Sequence, residues 1–182
     1  LVYTNGNPIT KGLSVTFLFQ FLGQGYIVGI PFPVIIMFIV FIVLYVLLHK
    51  TAFGKSVYAI GGNEKAAYIS GVKLNKVKIS IYSISGIMAS ISGLIITSRL
   101  SSAQPTAGAS YEMDAVAAVV LGGTSLSGGK GRILGTLIGA LIIGVLNNGL
   151  NIIGVSAFWQ QVVKGVVILI AVLIDRFKVV KQ

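Results

Sequence analysis

Four apolar runs, three of them free of charged side chains, alternate along the chain with short polar stretches. They cover residues 30–48, 79–98, 133–150 and 162–174. A helix needs about 20 apolar residues to cross the hydrocarbon core of a bilayer, which is about 30 Å thick. The pattern therefore predicts an all-α, polytopic transmembrane helix bundle, with residues 1–182 forming a single membrane domain.

Two segments outside these runs are less regular. Residues 115–129 are uncharged, but Gly122 and Gly123 interrupt them, so we expect a short membrane helix over 115–121 followed by irregular backbone. Such backbone must be buried in protein or line a wet cavity when it lies at membrane depth. Residues 1–29 contain turn signals, which favour an outer-face segment with a short interfacial helix near 13–22.

A basic island, residues 49–78, separates the first two runs. It carries six lysines and one acid, Glu64, and an excess of lysine is typical of cytoplasmic loops. Asn63 and Gly71 bracket residues 64–70 as the N-cap and the C′ residue of a helix of about two turns. A helix this short needs a surface to lie against, either the chain's own cytoplasmic face or a cytoplasmic partner.

The last residues, 175–182, carry three basic side chains and one acid, so they are expected on the same side of the membrane as the island. An even number of crossings must then lie between the two. The long runs after the island supply three, and residues 115–129 are therefore predicted to supply the fourth traverse. Residues 99–114 become an outer loop.

The composition excludes several other classes of protein. The chain is 55% apolar and 10% charged, against about 25% charged residues in soluble domains. Its net charge of +10 is concentrated beside the apolar runs, which favours membrane orientation over nucleic-acid binding. Cysteine is absent and His49, interpreted as an interfacial residue, is the only histidine. The sequence therefore predicts no metal site.

Small side chains mark two helix faces. Within residues 79–98, steps of three and four residues separate Ser83, Gly86, Ser90, Gly93 and Thr97. Gly135 and Gly139 form a GxxxG pair in the third run. Small residues let helix backbones approach closely in lipid, so both faces are predicted to pack against neighbouring helices. For the face within residues 79–98, packing is favoured over pore lining.

The segment TSLSGGKGR over 124–132 superficially resembles a phosphate-binding P-loop, but it fails the pattern. A P-loop reads G-x-x-x-x-G-K-[ST], whereas Gly123 leads to Gly128 and Gly129 stands where the lysine belongs. Glu112 and Asp114 are two residues apart, so on a helix they do not face each other. We therefore predict that the chain is not an enzyme and holds no cofactor.

Four motifs carry a resemblance to a known family. The pattern Glu64-x-Ala66-Ala67-x-x-x-Gly71 resembles the EAA-type coupling loop of ABC-transporter permeases. The strings LSSAQPTAG at 100–108, VVLGGTSLSGGKGR at 119–132 and NNGLNIIGVS at 147–156 are similar to ribose-type sugar permeases of bacterial ABC importers. The resemblance runs from about residue 1 to the last apolar run and corresponds to the later portion of a longer permease.

This resemblance implies a multi-pass subunit of the bacterial inner membrane that moves ribose or a related monosaccharide inward, driven by ATP hydrolysis in a partner. The implied partners are a cytoplasmic ABC ATPase, an extracytoplasmic sugar-binding protein and a second permease subunit, expected as a homodimer in the lipid bilayer. Within the island, it implies an ATPase-coupling loop that contains Gly61, Gly62, Asn63, Glu64, Ala66, Ala67 and Gly71.

Some polar residues have two interpretations. Three amides are candidates for the substrate path, because sugar hydroxyls need such partners: Gln104, Asn147 and Asn148. Hydrogen bonding between helices is the favoured alternative. Glu112 and Asp114 are expected at the start of the short helix, where they complement its dipole, and no acid falls in the middle of a long run. Lys164 is expected to snorkel to the headgroups.

Three alternatives stay open. An ion-gradient-driven secondary transporter predicts a carboxylate at mid-span or an ion site made by discontinuous helices. A permease for another small solute, such as xylose or autoinducer-2, would share the same motifs. A membrane assembly subunit predicts that the island tolerates charge changes and that no nucleotide-dependent transport occurs.

Overall fold

A computed structural model describes residues 17–180, with the side chains of all of these except 157, 171 and 174–180. Its helices are α1 (Phe17–Gln24), α2 (Phe32–Lys50), α3 (Ala52–Gly62), α4 (Glu64–Ile69), α5 (Leu74–Leu100), α6 (Tyr111–Leu121), α7 (Ile133–Ile152) and α8 (Ala157–Val180). A two-residue antiparallel hairpin, β1 (Tyr26–Ile27) and β2 (Ile30–Pro31), lies between α1 and α2. The predicted all-α fold is confirmed. Residues 13–16 of the expected interfacial helix lie outside the described residues.

Helices α2, α5 and α7 are long and apolar enough to cross a membrane. These three correspond to the first three predicted runs. The fourth run lies in α8, whose described apolar part, Phe158–Ile170, is shorter. Helix α5 begins five residues before the predicted run because Lys76 and Lys78 are good helix formers, and they continue the helix into the basic island.

The structure departs from the expected pattern at α3 and α6. Helix α6 begins four residues earlier than expected and ends, as predicted, at Gly122 and Gly123, the latter with a φ of +78°. Its 11 residues reach only about 16 Å, roughly half the hydrocarbon thickness, so the fourth traverse stays a prediction. Helix α3 was not expected, because its three glycines weaken the helical signal.

Cα packing divides the chain into two compact units. The first contains α1, α2, the hairpin and α5. Its centre is the contact of α1 with α5, where the Ser98 hydroxyl is buried and donates a hydrogen bond to the carbonyl of Phe19. The amide of Gln24 donates to the hydroxyl of Ser101 at 2.9 Å. These bonds join the end of α5 to the short helix that precedes α2.

The face of α5 that carries the small residues has no partner within the part of the first unit that the structure describes. Ser83, Gly86, Ser90 and Gly93 are all exposed, and an added Cβ at either glycine would meet no described heavy atom within 4 Å. The hydroxyl of Ser90 instead bonds the carbonyl of Gly86 in its own helix. Packing of this face against a neighbouring helix stays a prediction.

The second unit contains α3, α4, α6, α7 and α8. Ala117, Ala118 and Ile143 form its buried apolar cluster, with parts of Leu121 and Ile168 against it. Helices α6 and α7 run antiparallel and touch backbone to backbone. A Cβ at Gly122 would lie 2.6 Å from the nitrogen of Thr136, and one at Gly139 would lie 2.9 Å from the carbonyl carbon of Ala118.

Candidate functional site

The basic island folds around the predicted caps of α4. The Asn63 side-chain oxygen accepts a hydrogen bond from the Ala66 N–H at 3.0 Å, which confirms the N-cap. At the other end, Gly71 has a φ of +83°. The Gly71 and Val72 N–H groups donate to the carbonyls of Tyr68 and Ala67. This is a Schellman motif, in which glycine takes the left-handed C′ position without a Cβ penalty.

Helix α4 presents most of its surface to the outside of the unit. Only Ala67 is buried, and α4 packs on α3. Tyr68 and Ile69 are 68% and 84% exposed, although both are apolar. We expected α4 to lie either against the chain's own surface or against a partner. Within the described part of the second unit, the chain buries Ala67 of α4 and leaves the other side chains of this helix exposed. The exposed apolar side chains leave a second face for another surface.

The end of α3 touches a glycine turn that precedes α7. A Cβ at Gly61 would lie 2.7 Å from the nitrogen of Gly129, and one at Gly129 would lie 2.8 Å from the Cα of Gly62. Gly128 and Gly129 have φ values of +86° and +71°, which glycine adopts without steric cost. The hydroxyl of Tyr58 donates to the carbonyl of Gly131 at 3.1 Å.

This contact, which we call the glycine joint (Gly61 and Gly62 against Gly128 and Gly129), was not predicted from the sequence. The sequence signal that could have indicated this contact is the pair of adjacent glycines in each of the two segments. The joint brings the TSLSGGKGR turn against the end of α3 within the second unit. The predicted return of the chain to the cytoplasmic side before α7 stays a prediction.

A largely buried polar cluster joins α6, α7 and α8. The Lys164 ammonium lies 2.7 Å from Asp114 Oδ1 and donates a hydrogen bond to Oδ2 at 3.0 Å. The side chains are 14% and 17% exposed, respectively. The Asn147 amide nitrogen donates to the same Oδ2 at 3.0 Å. The prediction that Lys164 snorkels to the headgroups was therefore wrong, because its ammonium is held by a carboxylate inside the unit.

The cluster lies within the length of α7. Asn147 comes five residues before the end of α7, which corresponds to about 8 Å of helix. Asp114 is in the first turn of α6, as predicted, but the antiparallel packing brings it beside Asn147. Sequence reasoning missed this carboxylate because Asp114 lies outside every long apolar run. A charged residue at such depth is costly and is usually paired or functional.

One acceptor in the cluster has no donor. Asn147 Oδ1 is buried and has no hydrogen-bond partner among the described residues. Asp114 Oδ1, in contrast, is paired with the Lys164 ammonium at 2.7 Å. Leaving a buried acceptor unsatisfied costs about 1–3 kcal/mol. Asn147 Oδ1 is therefore the acceptor of this cluster that lacks a donor.

A cavity of about 330 Å³ opens beside these acceptors, between α6 and α7. Asp114 and Asn147 line it together with Tyr111 and small or apolar residues that recur at helical spacing on both helices: Ala115, Ala118, Ala140, Ile143 and Gly144. Of the three candidate amides, Asn147 alone lines this cavity. Gln104 and Asn148 are exposed.

Comparisons with known proteins agree with the membrane architecture. A family profile described as branched-chain amino acid transport system / permease component matches residues 3–172. The ribose import permease protein of Bacillus subtilis is 67% identical over 98% of this chain and 55% of its own length. The ribose import permease protein of Escherichia coli K12 is 58% identical over 98% of this chain and 56% of its own length.

The xylose transport system permease protein of Haemophilus influenzae is 48% identical over 81% of this chain and 39% of its own length. The chain thus spans about half the length, or less, of these relatives. No solved structure matches. Because the family profile covers nearly all of the chain, this multi-pass membrane protein belongs to the family of branched-chain amino acid transport system permease components.

Proposed function

We propose that the chain is part of the membrane-spanning permease subunit of a bacterial ABC importer that moves ribose, or a related monosaccharide, across the inner membrane. The observation that carries this proposal is the identity of 67% and 58% with two ribose import permeases over 98% of the chain. The xylose relative is less similar and matches a smaller part of the chain. Ribose is therefore favoured over xylose.

The energy for transport would come from a separate subunit. The TSLSGGKGR turn lacks the lysine and the hydroxyl residue of a P-loop, and in the structure its glycines contact α3 instead. We assign ATP hydrolysis to a cytoplasmic ABC ATPase and sugar capture to an extracytoplasmic binding protein. A second permease copy would complete the path and cover the exposed small-residue face of α5.

The α3–α4 segment is the proposed docking surface for the ATPase. Its capped helix presents Glu64, Tyr68 and Ile69 outward, and the surrounding lysines favour a cytoplasmic position for it. Movement of α4 would be transmitted through α3 and the glycine joint to the α6–α7 pair. The joint is a direct contact between backbones with no side chains between them. We therefore expect α3 and the turn before α7 to move together.

Replacing Glu64 by alanine in the full-length permease tests this assignment. Glu112 is the matched control, since it is also an exposed glutamate in the first turn of a helix. The Glu64→Ala variant should lose ribose uptake and co-purification of the ATPase, whereas Glu112→Ala should keep both. Equal effects of the two substitutions on uptake and on ATPase binding would remove the coupling role from α4.

An ion-driven carrier is the second candidate, because Asp114 supplies a largely buried carboxylate, one of the features expected of such a transporter. The adjacent Lys164 ammonium argues against it, since it already compensates that charge. Uptake into proteoliposomes separates the two candidates. The importer needs ATP and tolerates a protonophore, whereas a proton-coupled carrier stops when the gradient is collapsed and continues without ATP.

A further inference from the structure

We propose that the cavity between α6 and α7 is a low-affinity site for the hydroxyl groups of a neutral monosaccharide, with the side-chain oxygen of Asn147 as the acceptor. The inference rests on the proposed function, because it places a substrate contact within the permease.

The donors and acceptors of the cluster select the class of ligand. Asn147 Oδ1 has no donor within the described part of the chain, whereas Asp114 Oδ1 is paired with the Lys164 ammonium. A ligand that satisfies the Asn147 oxygen must bring a hydrogen-bond donor. Because Lys164 already compensates the charge of Asp114, the cluster offers little attraction to a cation and its acceptors repel an anion. A neutral hydroxyl group fits both conditions.

The walls of the cavity fit the remaining surface of a sugar. A volume of about 330 Å³ lies at the small end of the range for ligand pockets, about 300–1,000 Å³. Ala115, Ala140 and Ile143 give it apolar walls that suit the C–H faces of a monosaccharide. The polar residues Asp114 and Asn147 lie together, where α6 begins and α7 approaches its end.

Binding requires a small movement of one side chain. Asn147 Oδ1 is covered in the structure, but the same residue lines the cavity. Rotation of the amide would turn the oxygen toward a hydroxyl group, and the amide nitrogen would then give up its hydrogen bond to Asp114 Oδ2. The site then offers few polar contacts, which suits a permease because a solute that binds tightly leaves slowly.

The first test compares Asn147→Leu with Asn151→Leu in the full-length permease, reconstituted with its ATPase and one sugar-binding protein. Asn151 lies one turn further along α7, is exposed and bonds Gln160. We measure KM and maximal uptake rate for ribose and for deoxyribose. The preference for ribose over deoxyribose should fall about two- to tenfold in Asn147→Leu, the value of one net hydrogen bond, and stay unchanged in Asn151→Leu.

The same binding protein is present in every assay, so its own selectivity cancels when variants are compared. A structural role of Asn147 would lower the uptake of both sugars equally. An unchanged preference in Asn147→Leu overturns the site. Absence of ATP-dependent ribose uptake by the wild type overturns the proposed function instead.

If the Asn147→Leu variant fails to insert into the membrane, a labelling experiment tests whether ribose occupies the cavity. The 182 residues contain no cysteine, so Ala115→Cys places a thiol on the cavity wall and Val145→Cys places one on the exposed side of α7, in a full-length chain freed of other cysteines. Ribose should slow the maleimide reaction at residue 115 and not at residue 145. Equal rates with and without ribose at residue 115 overturn the proposal.

Discussion

Removal of one partner from the Asp114–Lys164 ion pair should destabilise the second unit strongly. Two unit charges at 2.7 Å attract each other by about 6 kcal/mol at an effective dielectric constant of about 20. Most of this attraction offsets the desolvation of two side chains that are only 14% and 17% exposed. Lys164→Met leaves the carboxylate buried without its counter-ion, which should cost about 3–5 kcal/mol.

The double variant Asp114→Asn with Lys164→Met should recover most of this loss, because it removes both buried charges while an amide at position 114 can still accept a hydrogen bond from Asn147. The stability of the purified full-length permease is followed as the fraction that remains monodisperse after heating in detergent. Lys130→Met, at an exposed lysine, is the control and should change stability by less than about 0.5 kcal/mol.

The wild type and the double variant should be the most stable in this assay, and the single variants Lys164→Met and Asp114→Asn the least stable. The coupling within this cycle isolates the interaction of the pair. If Lys164→Met is no less stable than Lys130→Met, the pair contributes nothing measurable. If the losses of the two single variants add in the double variant, the two groups do not interact, and the reasoning is refuted.

Three further substitutions test local packing, each by the same heating assay. Gly139→Ala should cost about 1–3 kcal/mol through overpacking against Ala118, and the control Gly144→Ala, which meets no described atom within 4 Å, should be tolerated; equal losses contradict the α6–α7 contact. Asn63→Ala should lower stability by about 1 kcal/mol through loss of the N-cap, whereas Asn63→Ser should keep the cap and most of the stability. Equal stability of the two variants would show that the cap does not stabilise α4. Ser98→Val should detach α1 from α5 by leaving the Phe19 carbonyl without its donor, whereas Ser98→Thr retains the hydroxyl; the same stability in both variants refutes this.

The apolar runs were sufficient to predict the class of fold and most of the membrane helices. In lipid, backbone groups must bond within their own segment, so long uncharged runs have few alternatives to a helix. The caps of α4 were also predictable, because Asn63 and Gly71 act on backbone groups a few residues away. Local chemistry of this kind is readable from sequence, and α3 was missed only because its glycines weaken that local signal.

The candidate site depended on contacts between residues far apart in the chain. Asp114 and Lys164 are separated by 50 residues, and in sequence each had a plausible local role, at a helix start and at a membrane surface. Antiparallel packing of α6 on α7 and the position of α8 brought them together with Asn147. The glycine joint has the same origin, since two unremarkable pairs of glycines acquire a role only where one backbone approaches another. Periodicity and capping act within a few residues, whereas a buried ion pair or a cavity exists only after the helices have packed.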